Sequence, residues 1–185
     1  TFEGLLTCVY QHYYNEKASG VYRRDQYQAN LFFGCSIVQT DEAKAVKVYE
    51  AIENKISSDD LRRIYRVFLS SDPVKENKIL NYIRLGFREG SKISRLHSHP
   101  IVFDMQQCEQ KVSFEVHRMK GLIRFSVLQP GEILYCTIEP DHDVLELVAD
   151  HFSDRYRNDP FVIHDKRRNK AVFSQNGNWY ISDFR

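Results

Sequence analysis

The stretch EVHRMKGLIRF, Glu115 to Phe125, sets a carboxylate, an imidazole and the cations Arg118, Lys120 and Arg124 among apolar residues. Whether it is helix or strand decides where the helical part of the chain ends. As a strand, Val112, Phe114 and Val116 alternate inward, with Ser113, Glu115 and His117 on the opposite face. As a helix, Val112, Val116, Met119 and Ile123 form one stripe and Glu115 pairs with Arg118. The helical reading is adopted, from about Gln106 to Lys120. Gly121 then serves as the C-cap, and Arg118 and Lys120 lie near the negative end of the helix.

Toward the N-terminus the period stays helical. Phe2, Leu5, Leu6, Val9, Tyr10 and Tyr13 give one buried face over residues 2–16. The aromatic segment Leu31-Phe32-Phe33-Gly34 with Ile37-Val38 is an extended connection carrying one short strand. Thr40 caps a second helix that runs to about Ile56. Ser57, with Asp60 three residues on, caps a third whose stripe is Leu61, Ile64, Tyr65, Phe68 and Leu69. Asp72-Pro73 opens a fourth, with Ile79, Leu80, Ile83 and Phe87 inward, and Gly90 stops it.

Toward the C-terminus the period shortens to two. Leu122–Leu128 and Ile133–Ile138 are two strands joined at Gln129-Pro130-Gly131. Asp141 or Asp143 caps a helix through Val144, Leu145, Val148 and Phe152. A second hairpin runs from Phe161-Val162-Ile163 through Arg167-Arg168-Asn169 to Ala171-Val172-Phe173, and Trp179-Tyr180-Ile181 adds a final strand. The expected class is α+β. A helical N-terminal half, 1–121, packs on a C-terminal β-β-α-β-β antiparallel sheet unit, 122–185, and the two share the core of a single domain.

The 185 residues carry a net charge of only +1, so a preference for nucleic acid must come from how charge is distributed. Residues 61–95 hold nine Lys/Arg against three Asp/Glu, whereas residues 1–60 hold six against nine. Arg62, Arg63, Arg66, Lys75, Lys78, Arg84, Arg88 and Lys92 mostly avoid the apolar stripes of their helices. Such a surface can track phosphates, although cations on outer helix faces commonly serve solvation alone. The tip Lys166–Lys170 is a second cationic element, with His164 and Asp165 before it and His151 and Arg155 at i,i+4 on the preceding helix.

The four cysteines form no CxxC and imply a reducing compartment. No apolar run approaches the roughly twenty residues that span a bilayer, so a cytoplasmic location is expected. The histidines near 97–99, 142, 151 and 164 lack a ligand spacing such as HExxH, so no metal and no cofactor is assigned. No GxSxG, P-loop or dinucleotide turn occurs.

KVSFEVHRMKGLIRF, LYCTIEPDHDVLELVADHFSDRY and FVIHDKRRNKAVF together resemble a bacterial family assigned to DNA metabolism or DNA repair. Its members are typically encoded beside a DNA-modification radical SAM protein and are sometimes fused to a uracil-DNA glycosylase. TFEGLLTCVYQHY at the N-terminus is similar to the start of the same family. Where its pattern often has tryptophan this chain has Phe161, and Leu122 replaces a phenylalanine.

The resemblance implies a DNA-metabolism or repair accessory protein that binds nucleic acid through a basic surface and cooperates with a radical SAM partner. Arg118, Lys120, Arg124, Arg155, Arg167 and Arg168 would then contact DNA. The alternatives are an enzyme acting on a nucleotide or base, with Glu115, His117, His151 and Asp165 as acid–base groups, and a protein-interaction module without DNA contact.

Overall fold

The computed structural model describes residues 1–28 and 34–185 and divides into two compact units. The first comprises Thr1–Phe68 and Asp72–Glu109; the second comprises Leu69–Ser71 and Gln110–Arg185.

Helices α1 (Phe2–Tyr14), α2 (Glu42–Lys55), α3 (Ser58–Phe68) and α4 (Lys75–Glu89), and the 3-10 helix η1 (Gly90–Arg95), belong to the first unit. The short strand expected in the connection 31–38 is not found among its described residues, where Ile37 is exposed; Leu31–Phe33 lie outside the described residues. The cap of α2 is Asp41 rather than Thr40, because the Asp41 carboxylate accepts from Lys44 N at 3.1 Å. The box expected before α3 is present: Ser57 Oγ accepts from Asp60 N at 3.0 Å and donates to Asp60 Oδ2 at 2.6 Å. Gly90, with φ of 63°, ends α4 as expected.

Leu5, Leu6, Val9, Ile52, Ile64, Ile79, Ile83 and Met105 form the core of this unit. Gly86 is required there, since a methyl on it would overlap Ile56. Asp60, fully buried, also accepts from Tyr82 Oη at 2.6 Å, Ser94 Oγ at 2.8 Å and Arg63 Nη1 at 2.5 Å. Burial together with the bond to Asp60 pushes the Tyr82 phenol far above its ordinary pKa, so it remains a donor.

Helix α5 (Pro100–Leu122) starts six residues earlier and ends two residues later than the sequence suggests. Gly121 does not stop it. The closing carbonyls of Gly121 and Ile123 are instead met by the Arg124 guanidinium, at 2.8 and 2.9 Å, and Ile123 N still donates to Met119 O. Leu122 therefore ends a helix rather than opening a strand.

In the second unit, β1 (Ser126–Leu128), β2 (Ile133–Ile138), β3 (Phe161–Asp165), β4 (Lys170–Gln175) and β5 (Asn178–Asp183) form one sheet in chain order. Helix α6 (Leu145–Arg155) lies between β2 and β3 in the chain. Both hairpins and the final strand are as expected. The sheet is mixed rather than wholly antiparallel, because β2 and β3 pair in parallel, with Cys136 opposite Ile163. A parallel pair needs a crossover, and α6 supplies it. Phe161, Ile163, Val172, Cys136 and Ile138 pack with Leu145, Val148, Ala149 and Phe152 of α6, and Val116 and Met119 of α5 join them.

Residues 69–71 follow α3 in the chain but count with the second unit. Leu69 O accepts from Asp143 N at 2.9 Å, and Ser71 N donates to His142 Nδ1 at 3.1 Å.

Candidate functional site

The connection Glu139–Val144 leaves β2 and enters α6 with backbone groups that neither element satisfies, and α6 has no side-chain N-cap. Glu115, 4% exposed, reaches across from α5: its Oε1 accepts from Asp141 N at 2.9 Å and its Oε2 from His142 N at 2.7 Å. The carbonyls are held from the other side. Arg168 donates from Nη1 to Pro140 O at 3.1 Å and from Nη2 to Asp141 O at 2.6 Å. The same Nη1 reaches Asp165 Oδ2 at 2.8 Å, and Asp165 Oδ1 accepts from the backbone N–H groups of Arg167 and Arg168, fixing the β3–β4 turn. Asp165 is completely buried, so Arg168 neutralises a charge that water does not reach.

The side chains of this connection are engaged as well. Asp141 pairs with Arg167 at 2.6 Å, and Asp143 with Lys170 at 3.5 Å. The sequence predicts Asp141 or Asp143 as the cap of α6, but neither caps it, because both turn to the β3–β4 hairpin. The Arg167 hydrogen bond holds the Asp141 carboxyl below the usual range. Burial lowers the His142 pKa against the opposing pull of Glu115 and Asp141, which suits Nδ1 as the acceptor for Ser71 N.

This clamp gathers four of the ten residues singled out from the sequence, Glu115, Asp165, Arg167 and Arg168. Arg118, half exposed, touches its edge at 3.4 Å from Glu115. The others stand apart. Arg124 closes the end of α5, Arg155 lies over the Tyr156 ring at 5.6 Å, and Lys120 is half-buried on α5. His117 is exposed on α5, and His151 is exposed on α6 with its ring edge-on to Phe152. Sequence reasoning weighed His142 only as a metal ligand and missed Ser71; the PDHD run before α6 was the available signal. As chemistry, the clamp is closed: its two buried carboxylates are met by backbone amides and a guanidinium, an arrangement that holds a loop in place.

The basic segment of the first unit differs. Five of its cations face acids: Arg62 pairs with Asp59, Arg63 with Asp60 and Glu109, Arg66 with Glu109, Lys78 with Asp72 and Arg88 with Glu89. Lys75 donates to Phe68 O. Arg84, Lys92 and Arg95 are exposed and make no ion pair among the described residues. Arg84 and Arg88 stand one turn apart on α4, and Lys92 and Arg95 one turn apart on η1. The charge of Arg84 depresses the pKa of His12, whose main cause of lowering is burial, and Lys17 adds to it.

On the sheet face opposite α6, Tyr135, His164, Phe173 and Tyr180 line up by strand alternation. Tyr135 Oη lies 3.0 Å from His164 Nδ1, Phe184 stands edge-on to the His164 ring at 4.7 Å, and Phe173 stacks on Tyr180 at 5.4 Å. A depression at the Pro160 end of the sheet is lined by Ile133, Val162, Phe173 and Tyr180 of this face together with Phe161, Ser174 and Trp179 of the other. Burial raises the Cys136 thiol to about 12, which keeps it protonated. No group of three or more metal-ligating side chains occurs among the described residues, and no helix of theirs is long and apolar enough to cross a membrane.

A family model described as a domain of unknown function, DUF4130, matches residues 73–183, from before α4 to the end of β5. The chain belongs to this family. No curated protein and no solved structure matches it.

Proposed function

We propose that the protein binds nucleic acid through the cations of α4 and η1 in the first unit. The observation that carries this reading is the exposed set Arg84, Arg88, Lys92 and Arg95, of which Arg88 alone pairs with an acid among the described residues. Exposed cations held on rigid elements can exchange solvent for phosphate without breaking an internal bond. Of the cations expected in the second unit, Lys120 and Arg155 have no ion pair among the described residues and remain open to the same role. Arg118, Arg167 and Arg168 already face carboxylates.

The resemblance of KVSFEVHRMKGLIRF and FVIHDKRRNKAVF to a family assigned to DNA metabolism or repair supports reading the protein as an accessory to a radical SAM partner. An acid–base enzyme is the weaker reading, because Glu115 and Asp165 are sealed into the clamp while His117 and His151 stand on separate helices. A docking module is favoured by one observation, the aromatic sheet face around Phe173 and Tyr180. Co-purification with the radical SAM protein that survives nuclease, without DNA binding, would support it.

The deciding experiment is a fluorescence-anisotropy titration with labelled DNA over a salt series. Binding that weakens linearly with the logarithm of salt supports the proposal. Absence of binding at low ionic strength removes it.

A further inference from the structure

At the end of α1 the same unit carries an aromatic stack beside its cations. Tyr10 and Tyr14 stack at 4.3 Å with planes 20° apart, and Tyr14 is 71% exposed, so the outer face of the pair meets solvent. Tyr13, 46% exposed, stands edge-on to Phe87 of α4 at 5.5 Å. One cation stands by each pair: Lys44 Nζ, itself paired with Asp41, is 5.9 Å from the Tyr10 ring centre, and Lys55 Nζ is 5.9 Å from that of Phe87. Arg84 is near enough to act on Tyr13 and His12. Tyr10 packs against the core of the unit, whereas Tyr14 turns most of its surface to solvent.

An aromatic ring presents a flat face that any unpaired base can cover, whereas a duplex keeps its base faces inside. Arg84 and Arg88, one turn apart on α4, flank Phe87 in the chain, and Phe87 meets Tyr13, the residue before Tyr14. The geometry points to a site for single-stranded nucleic acid, in which a base extends the Tyr10–Tyr14 stack and Arg84 and Arg88 take the adjoining phosphates. This rests on the nucleic-acid reading above and names the strand class that the surface accepts.

The test compares an oligothymidine 20-mer with a mixed-sequence duplex of equal length, by anisotropy at two salt concentrations. The single strand is expected to bind more tightly. Tyr14→Ala should weaken single-strand binding about tenfold, the size of one base–aromatic stack, and leave the duplex and the salt slope unchanged. Tyr14→Phe should restore it. Because Tyr14 is exposed, neither change disturbs the core. Equal or tighter duplex binding, or an unaltered single-strand affinity in Tyr14→Ala, overturns the stacking site while leaving nucleic-acid binding intact. Failure of both ligands to bind overturns the reading beneath it.

Discussion

The clamp of the second unit turns its charges inward, and the α4–η1 surface of the first leaves part of its charge facing water. In the clamp, Glu115, Asp165 and Arg168 each find partners that hold backbone, and a buried charge without such a partner would be strongly destabilising. Along α4 and η1, Arg84, Lys92 and Arg95 make no ion pair among the described residues. The two regions look alike in the sequence, both dense in Arg and Lys, yet one is folding chemistry and the other is available for binding. Charge density therefore says little about function until each charge has been followed to its acceptor.

The largest effect should come from opening the clamp. Arg168→Met leaves Asp165 buried and unpaired and is expected to destabilise the protein by about 3–5 kcal/mol, read from urea unfolding. Glu115→Leu strips the acceptor from two amides and should cost about 1–3 kcal/mol for each that water cannot reach. DNA affinity per folded molecule should stay the same in both. A loss of binding at full folding would mean that the clamp contacts the ligand, and the contrast between the units would break.

Next is the exposed set. Replacing Arg84, Arg88, Lys92 and Arg95 together with alanine should lower the salt slope of DNA binding by about 0.9 for each cation that meets a duplex phosphate. Each change should move stability by less than about 0.5 kcal/mol, as surface positions do. An unchanged slope would remove α4 and η1 from the interface.

The smallest effect is in pH. His142 and His12 both have pKa values depressed below the ordinary 6.5, chiefly by burial. A depressed folded value means that the unfolded chain takes up the proton first. Their contribution is therefore complete above pH 6.5 and is lost as pH falls through the depressed values. The melting temperature should fall on acidification below pH 6.5. His142→Gln, which keeps an acceptor for Ser71 N, should remove part of that fall; a slope unaltered by the change would show that the Ser71–His142 bond does not report on pH.

Much of the fold could be read from spacing. The apolar stripes of α1, α3 and α4, the Ser57–Asp60 box and both hairpins are local patterns, and local patterns survive into structure where tertiary contacts agree with them. Gly121 misled because a guanidinium three residues away served the helix end in its place. The parallel pairing of β2 with β3 depends on how a crossover packs, which no strand states by itself. The candidate site was legible only as a set of residues. Glu115–Arg118 is a sound helical pair, but at 3.4 Å it is a minor contact; the main partners of Glu115 are amides 26 and 27 residues away.

Leu69–Ser71 determines how this protein can be divided. A peptide beginning at residue 73, where the family match starts, would lack the carbonyl that receives Asp143 N and the amide that meets His142, as would one beginning at Gln110. The second unit is thus assembled from two separate pieces of chain, and no single scission releases it whole and free of the first.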